Sequence, residues 1–185
     1  MEFKYELKIP KDRVAVLIGT KGTTKKQVEK YTNCKLDIDS EEGDVFISCD
    51  DALGLFSGRE VVRAIGRGFN PEIALLLLKQ DYSFELIDLK DYGGKNKNTL
   101  VRLKGRVIGD KGRSRRTIEE LTECYIVVVG KTIGLIGEAE NASIAKQAIE
   151  SLLAGSPHSN VYSFLERKRK EKRRSSFLGK SATNF

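Results

Sequence analysis

Alternating apolar and charged residues open the chain. The apolar members of this run point to one side of an extended backbone, and they are Phe3, Tyr5, Leu7 and Ile9. A period of two predicts a half-buried strand, which Pro10 ends. Val14 and Leu17 then recur at helical spacing, so the sequence predicts a short helix over 11–18 that runs into Gly19.

A second helix is expected to follow within a few residues. Thr23 or Thr24 can cap its start through a side-chain hydroxyl. The same helix would turn Val28 and Tyr31 toward the interior. We therefore expect two helices joined by a very short turn.

A hairpin and a third helix complete this unit. Apolar residues alternate with polar ones over 36–38 and again over 45–47, and the acidic residues between them predict a turn. Asp51 is a good helix cap, and apolar residues at helical spacing continue as far as Ile65.

The same pattern returns in the second half of the chain. Six residues match in identity and spacing without a gap: Gly19, Lys21, Gly22, Glu29, Thr32 and Cys34 correspond to Gly109, Lys111, Gly112, Glu119, Thr122 and Cys124. In the second half the predicted elements span 84–89, 100–108, 113–122, 125–129, 133–136 and 142–153. An internal repeat of this length indicates two copies of one architecture.

Each copy therefore has the order strand, helix, helix, strand, strand, helix. With a Gly-x-x-Gly turn between its first two helices, this α+β order resembles the type I (eukaryotic-type) KH domain, which has a three-stranded sheet. We expect two tandem KH domains over 1–80 and 81–155. A C-terminal segment, 156–185, would form a basic helix or tail.

An additional helix is expected between the two domains. Asn70 precedes Pro71, which suits the first position of a helix. The helix predicted over 71–79 is apolar on most sides, which favours burial between the domains and rigid docking of the two units.

Composition excludes several classes of protein. No apolar run approaches the roughly 18 residues that span a bilayer, and residues 1–6 lack the layout of a signal peptide, so we expect a soluble cytoplasmic protein with no membrane partner. Three cysteines and one histidine, with no Cys-x-x-Cys pair, make metal sites and disulfide frameworks poor interpretations. We expect buried, reduced thiols, no metal and no cofactor.

The net charge of +7 is concentrated near the C-terminus. Residues 166–185 hold eight Lys/Arg and two Glu, which leaves a charge of only +1 on the rest of the chain. A basic segment on a nearly neutral body is typical of proteins that bind polyanions. The alternative is a solvated helix end that serves solubility alone.

We call residues 19–22 the first hinge and residues 109–112 the second hinge. Glycine lacks a Cβ atom, so such a turn can adopt positive φ and let phosphates approach the main chain. The helix that follows offers free N–H groups and a partial positive charge. KH loops of this kind clamp about four nucleotides through the backbone.

A tight turn between helices would also use glycine, but it would not need the surrounding cations. Residues 102–116 hold seven Lys/Arg against Asp110 alone, and residues 11–30 hold six against two acids. The presence of the acidic residue Asp110 in this basic stretch has no evident physical reason. The residues expected to contact RNA are Gly19, Thr20, Lys21, Gly22, Lys25 and Lys26 in the first domain, and Arg106, Ile108, Gly109, Asp110, Lys111, Gly112, Arg113, Arg115 and Arg116 in the second.

The bases of a bound strand would lie along an apolar groove beside each hinge. The expected walls are Leu17, Ile18, Val28, Leu36 and Ile38 in the first domain and Val107, Ile108, Ile118, Ile126 and Val128 in the second. Most of these side chains are expected to be buried in the core and not to contact bases. Because Arg can bond phosphate bidentately and stack on bases, sequence-reading contacts are expected in the Arg-rich second domain.

These residues together resemble the archaeal branch of a family of KH-domain ribosome-assembly factors, partner of Nob one, related to the Dim-two and Krr-one proteins. Residues 64–72 (AIGRGFNPE) are similar to the inter-domain signature of that family, and residues 155–166 (GSPHSNVYSFLE) to its C-terminal signature. The resemblance implies binding to the single-stranded 3′ end of small-subunit ribosomal RNA precursor, together with the endonuclease that matures that end. It also implies contact with the alpha subunit of archaeal initiation factor two.

Two alternatives stay open. The first hinge is intact here, whereas it is degenerate in the eukaryotic branch, so the sequence leaves undecided whether both domains grip RNA at once. The first domain could instead act as an adaptor that binds the nuclease or the initiation factor. His158 has no nucleophile or carboxylate partner in the sequence pattern, so it is expected to order the turn after Pro157 or to touch RNA or a partner protein, and no enzyme is predicted.

Overall fold

The computed structural model describes residues 2–93 and 96–181, with side chains as far as residue 177. The chain divides into two compact units between Phe84 and Glu85. Each unit holds a three-stranded sheet, and each has the predicted order of elements. The expectation of an α+β fold with a three-stranded sheet in each of two units is confirmed.

The first unit begins with an edge strand and ends with a long helix. Its elements are β1 (Phe3–Lys8), α1 (Lys11–Ile18), α2 (Thr23–Thr32), β2 (Cys34–Ile38), β3 (Asp44–Cys49) and α3 (Ala52–Gly66), followed by the single turn α4 (Pro71–Ala74). The strand order is β1-β3-β2, and β3 pairs antiparallel with both neighbours. Asp51 caps α3 as predicted, because its Oδ2 accepts a hydrogen bond of 2.8 Å from the Gly54 N–H.

The second unit repeats this plan and adds a C-terminal helix. Its elements are β4 (Tyr82–Asp88), α5 (Lys90–Gly93), α6 (Lys97–Ile108), α7 (Arg113–Thr122), β5 (Tyr125–Val129), β6 (Thr132–Glu138), α8 (Ala139–Leu153) and α9 (His158–Ser181). The strand order is β4-β6-β5. Asn96 caps α6, since its Oδ1 accepts a bond of 2.9 Å from the Asn98 N–H, and α6 therefore starts earlier than the apolar pattern indicates.

The core of each unit lies between its sheet and its helices. Among the residues that exclude solvent almost completely are Leu17, Val28, Leu36, Ile47 and Ile65 in the first unit and Val107, Ile118, Ile133, Leu135, Ile149 and Leu152 in the second. Burial of such side chains is the main favourable contribution to folding. The hinges lie at the edge of each core, where α1 meets α2 and α6 meets α7.

Three expectations about local structure were wrong. Neither Thr23 nor Thr24 caps α2, because Gly22 is the residue before the helix and no side-chain cap hydrogen bond forms there. Tyr31 points outward and is 60% exposed. The helix predicted over 71–79 is instead α4 followed by a 3-10 turn over Leu75–Leu78, whose leucines are half-buried.

The basic C-terminal segment is helical from His158 to Ser181, and its end beyond residue 181 lies outside the described residues. Helix α9 packs on α7 and α8, and Val161 and Leu165 on it are buried. Lys172 Nζ donates to Glu138 Oε2 at 2.9 Å and to Asn141 Oδ1 at 2.8 Å. Among the helices of the described ranges, none combines the length and the apolar character that a membrane crossing needs.

Candidate nucleic-acid interface

Both hinges adopt the same backbone, with positive φ at three of their four positions. In the first hinge φ is 72° at Gly19, 54° at Lys21 and 74° at Gly22. In the second hinge φ is 73° at Gly109, 48° at Lys111 and 77° at Gly112. A lysine in the left-handed region is unusual, so the two units share an uncommon turn and not merely a glycine pattern.

The two glycines of the second hinge are needed for different reasons. A Cβ atom on Gly109 would lie 2.7 Å from both the backbone nitrogen and the Cβ of Ser114, so α7 approaches too closely for any side chain there. A Cβ on Gly112 would meet nothing within 4 Å. Gly112 therefore leaves its backbone open toward solvent, where another molecule can approach.

The first hinge repeats this division of roles. A Cβ on Gly19 would lie 2.4 Å from Thr24 Oγ1 and 2.8 Å from the Thr24 nitrogen, whereas Gly22 faces only the Lys26 side chain at 4.0 Å. Close packing thus fixes the first glycine of each hinge, and open space lies beside the last.

Helices α2 and α7 begin directly after the last glycine of each hinge. In neither helix does a side chain form a cap hydrogen bond. The first N–H of each helix is already bonded within the hinge, from Thr23 to the Thr20 carbonyl and from Arg113 to the Asp110 carbonyl. The helix dipole still adds a partial positive charge at this end. This arrangement can accept the oxygens of a phosphate.

The cations of the second hinge surround this helix start unequally. Lys111, Arg113 and Arg116 are exposed, and Arg116 Nη2 donates to the Lys111 carbonyl at 3.0 Å. Arg115 is half-buried with its Nε 3.9 Å from Glu119 Oε2. The exposed cations are free to meet a polyanion, and the Arg116 bond also holds the hinge backbone.

Arg106 and Asp110, both predicted to contact RNA, occupy different positions. Arg106 donates from Nε to the Leu152 carbonyl at 2.9 Å and from Nη2 to the Ser156 carbonyl at 2.7 Å. Its guanidinium therefore fastens α6 to the end of α8. Asp110 is exposed in the hinge itself, where its charge opposes that of Lys111. RNA contact by either residue stays a prediction.

The cations of the first hinge are lysines. Thr20, Lys21 and Lys26 are exposed, and Lys25 is half-buried. The first site thus offers mobile point charges, whereas the second offers guanidinium groups that can bond in pairs.

The predicted groove walls divide into core residues and accessible residues. Ile18, Ile38, Ile108 and Val128 are half-buried. The others exclude solvent to within 2%, namely Leu17, Val28, Leu36, Val107, Ile118 and Ile126. Only the half-buried residues offer apolar surface that a base could cover.

Three of the six repeated residues serve the fold. Glu29 Oε1 accepts the Leu36 N–H at 2.9 Å, and Glu119 Oε1 accepts the Ile126 N–H at 2.8 Å. The threonine and cysteine that follow also bond to the end of the same helix in both units. The repeat therefore combines a hinge signal with a signal for the corner between helix and strand.

Sequence reasoning missed how close α9 comes to the second hinge. His158 and Tyr162 line an open depression together with Gly109, Arg113 and Ser114. His158 Nε2 lies 2.8 Å from the Arg106 carbonyl oxygen. No periodicity in the sequence links these positions, because the contact depends on how α9 returns along α8.

The cysteines are buried and are not paired in disulfides. Burial is the main cause that raises the pKa of Cys34 to about 12 and that of Cys124 to about 11. Within the described ranges, no group of three or more His, Cys, Asp or Glu residues is placed to hold a metal ion.

Family models match both units. The model of the eukaryotic type KH-domain (KH-domain type I) of the PNO1 second domain matches residues 83–170, and the KH domain model matches residues 4–67. The two matches cover the two hinges.

Known proteins resemble the chain over most of its length. It is 50% identical over 174 residues to the KH domain-containing protein MJ0443 of Methanocaldococcus jannaschii, covering 92% of this chain and 76% of that one. It is 33% identical over 121 residues to the pre-rRNA-processing protein pno1 of Emericella nidulans, covering 63% of this chain and 46% of that one, so it spans about half of that relative. The structure of a complex of a/eIF2alpha, aDim2p and rRNA from Pyrococcus horikoshii contains a similar chain, with a TM-score of 0.85, 47% identity, and coverage of 92% and 96%.

Proposed function

Because the chain belongs to the PNO1/Dim2 family of KH-domain RNA-binding proteins, which are non-enzymatic factors of ribosome biogenesis, we propose that it binds the single-stranded 3′ end region of small-subunit ribosomal RNA precursor. It holds that strand for cleavage by a partner endonuclease. Since the family resemblance is to the archaeal branch, whose cells lack a nucleus, we propose that it acts in the cytoplasm.

The observation that carries this proposal is the open face of Gly112. Its backbone lies at the start of α7, without a capping side chain and without a neighbouring atom in the way. Lys111 and Arg113 flank it with exposed positive charge. A phosphate there would approach the open backbone at the positive end of the α7 dipole and receive charge-assisted bonds from the side chains.

The relatives supply the substrate class. One relative is a pre-rRNA-processing protein, and the Pyrococcus chain occurs in a complex with rRNA and a/eIF2alpha. We extend both activities to this chain: contact with ribosomal RNA through the hinges, and contact with the alpha subunit of initiation factor two.

The proposed RNA-binding residues fall into two sets. In the second unit they are Ile108, Gly109, Lys111, Gly112, Arg113, Arg115 and Arg116, with Arg106 and Asp110 at the edge of the site. In the first unit they are Gly19, Thr20, Lys21, Gly22, Lys25 and Lys26. The half-buried Ile108 would contact a base, while the glycines, Thr20 and the exposed lysines and arginines of the hinges contact the strand backbone.

Binding of a pyrimidine-rich, ten-nucleotide single strand to the Lys111→Asn and Lys21→Asn variants tests the proposal. Asparagine tolerates left-handed φ, so each change removes charge and keeps the turn. Each lost phosphate contact should reduce the slope of log affinity against log salt by about 0.7. Lys90→Asn removes an equal charge from an exposed site outside both hinges and is the matched control.

The outcomes separate the two candidate functions. Weaker binding and a smaller salt slope in both hinge variants support RNA binding by both units. An effect of Lys111→Asn alone assigns the first unit to the adaptor function. Affinity and slope equal to those of the Lys90 control in both variants would refute RNA binding through the hinges.

The endonuclease proposal needs a separate measurement. Cleavage of a precursor 3′ end by the family's purified nuclease should rise when this protein is added, and it should rise less with Lys111→Asn than with Lys90→Asn. Equal stimulation by the two variants would contradict the proposed presentation of the strand.

A further inference from the structure

The sheet of the first unit has a free edge at β1. The strand order β1-β3-β2 places β1 at the margin, and no strand of the described residues pairs with its outer side. The Ile9 N–H donates to the Gly43 carbonyl on the β3 side. Because N–H groups alternate in direction along a strand, those of Lys4, Glu6 and Lys8 point to the free edge.

This edge is accessible to another chain. All three of these residues are exposed. A row of outward N–H and C=O groups is a template on which a further strand can pair. The charged side chains of Lys4, Glu6 and Lys8 restrict which strand that is.

An arginine-lined cleft lies between the edge of β1 and α3. Three arginines spaced one helical turn apart, Arg59, Arg63 and Arg67, line it together with Tyr5 and Leu7. The spacing of four places them in one stripe along the helix. We call this depression the β1–α3 cleft.

Aromatic rings hold two of these guanidinium groups. Arg59 Cζ lies 5.3 Å from the ring centre of Tyr5 and 4.9 Å from that of Phe56. Arg63 Cζ lies 5.3 Å from the ring centre of Phe84. Cation–π contacts of this kind orient the arginines without neutralising their charge.

Apolar side chains extend the cleft toward the start of α3. Tyr5 is 40% exposed, Phe56 54% and Leu53 70%. Neighbouring large apolar side chains at this level of exposure are typical of interaction sites. They offer an anchor for an apolar residue next to the arginine stripe.

The cleft keeps a positive charge after its internal ion pairs are counted. Glu60 Oε1 lies 3.1 Å from Arg59 Nη2 and 3.7 Å from Arg63 Nη1. Glu42 Oε2 lies 3.7 Å from Lys8 Nζ. Lys8 Nζ also lies 3.3 Å from Asp44 Oδ1. Five cations, Arg59, Arg63, Arg67, Lys8 and Lys11, thus stand against three acids, Glu42, Asp44 and Glu60. The remaining positive charge favours a partner with acidic side chains.

We propose that the β1–α3 cleft binds an acidic, extended segment of a partner protein, which adds to the free edge of β1 as a fourth strand. Main-chain bonds to Lys4, Glu6 and Lys8 give the affinity, and alternate side chains give the specificity. Carboxylates on the side that faces α3 pair with Arg63 and Arg67. This surface is distinct from the hinges, and the inference does not rest on RNA binding by them.

Two other occupants are less suitable. A second copy of the chain paired through β1 would bring two arginine stripes together. RNA could stack on Tyr5 and pair with the arginines, but it has no peptide backbone that could pair with the free edge of β1. Each gives a different result in the same experiment.

The test uses the full chain labelled with nitrogen-15 and the capped peptide Thr-Glu-Thr-Val-Thr-Glu-Thr. Adding the peptide should shift the amide resonances of Lys4, Glu6 and Lys8. Replacing both glutamates by lysine should weaken binding at least tenfold. The Arg63→Gln/Arg67→Gln double variant should lose as much, whereas the matched double variant Arg173→Gln/Arg174→Gln, on exposed positions of α9, should bind as the unchanged protein does.

Several results would overturn the proposal. Equal binding of the acidic and basic peptides excludes the charge argument, and resonance shifts away from β1 exclude the strand addition. Shifts of the β1 amides on adding pyrimidine-rich RNA, without an effect of the peptide, assign the cleft to nucleic acid. A dimer in sedimentation that the peptide does not dissociate assigns it to a second copy. Lys111→Asn should leave peptide binding unchanged, so a failure of the hinge mechanism is distinguishable from a failure here.

Discussion

His158, the first residue of α9, donates a hydrogen bond from Nε2 to the carbonyl oxygen of Arg106 at 2.8 Å. The Arg106 guanidinium in turn bonds the carbonyls of Leu152 and Ser156 at the end of α8. Three hydrogen bonds, one donated by His158 and two by Arg106, thus connect the last turn before the second hinge to the junction of α8 and α9. The geometry of the hinge depends on the residue where the C-terminal helix begins.

The first prediction concerns this connection. His158→Ala removes a part-buried hydrogen bond and should lower the free energy of unfolding by about 1 kcal/mol. Hydrogen exchange of the Gly109 and Lys111 amides should become faster, because the preceding turn is held less firmly. Urea denaturation and exchange measured by NMR check both effects. Ser159→Ala, at an exposed neighbouring position, is the control, and equal exchange in the two variants would contradict the prediction.

The second prediction separates the two glycines of the second hinge. Gly109→Ala should destabilise the protein by about 3 kcal/mol or more, because the new Cβ meets the Ser114 backbone at 2.7 Å in addition to the positive φ. Gly112→Ala faces open space and should cost only about 1–2 kcal/mol for its left-handed backbone. Thermal unfolding of the two variants gives the comparison.

The order of these two variants in RNA affinity should differ from their order in the free energy of unfolding. Gly112→Ala places a methyl group where the backbone is open, so at a temperature where the variant is folded its RNA affinity should fall. A Gly112→Ala protein that binds RNA with unchanged affinity would show that the strand does not approach this glycine.

The two hinges show how far the sequence predicts the fold. The limits of α1 and α7 follow from the sequence because Gly19 and Gly112 interrupt an otherwise regular apolar period. The threonine caps failed for a physical reason. A capping hydroxyl needs an extended residue before the helix, whereas Gly22 has φ 74° and ψ 19° and leads straight into α2.

The roles of the arginines could not be predicted from the repeat. The Arg13 guanidinium donates hydrogen bonds to the carbonyls of Ile65 and Phe69 at 2.8 and 2.6 Å. Arg106 likewise bonds two carbonyls at the end of the last helix of the second KH unit. Arg13 precedes its hinge by one more helical turn than Arg106 does, so the two do not align in the repeat. Charge counting assigns such a residue to RNA, and only the packing of the helices shows that its donors are already engaged.

The third prediction concerns the position of α9. Lys172→Met removes the bonds to Glu138 and Asn141, and it leaves Asn141, which is only 6% exposed, without its lysine donor. The ion pair with Glu138 is partly exposed to solvent, with side chains 37% and 45% exposed, and contributes little. The cost of about 1–2 kcal/mol therefore comes mainly from the buried amide. Hydrogen exchange should accelerate in α9 beyond Leu165. Lys170→Met, at an exposed position, should change neither quantity, and a similar loss in both variants would contradict the assignment to Asn141.

The last prediction concerns alkaline pH. Burial raises the pKa of the Cys124 thiol to about 11, from a value near 9.0 when it is exposed. The folded state therefore favours the protonated thiol, and this contribution to stability is complete below pH 9 and is lost as the pH rises through 11. Between pH 8 and pH 10.5 the loss amounts to about 2 kcal/mol by linkage.

Cys124→Ala removes the titrating group. The Cys124 Sγ packs closely against Gly137, since a Cβ added to Gly137 would lie 2.5 Å from it, and the smaller alanine side chain fits in this space. The variant should be less stable than the natural protein at pH 8, because a buried thiol is lost. The difference should shrink or reverse at pH 10.5, since only the natural protein must hold the thiol protonated against the solvent. Urea unfolding at the two pH values measures both differences, and the other titrating groups cancel because the two proteins share them. Parallel loss of stability in both proteins would show that the Cys124 thiol does not resist ionisation in the folded state.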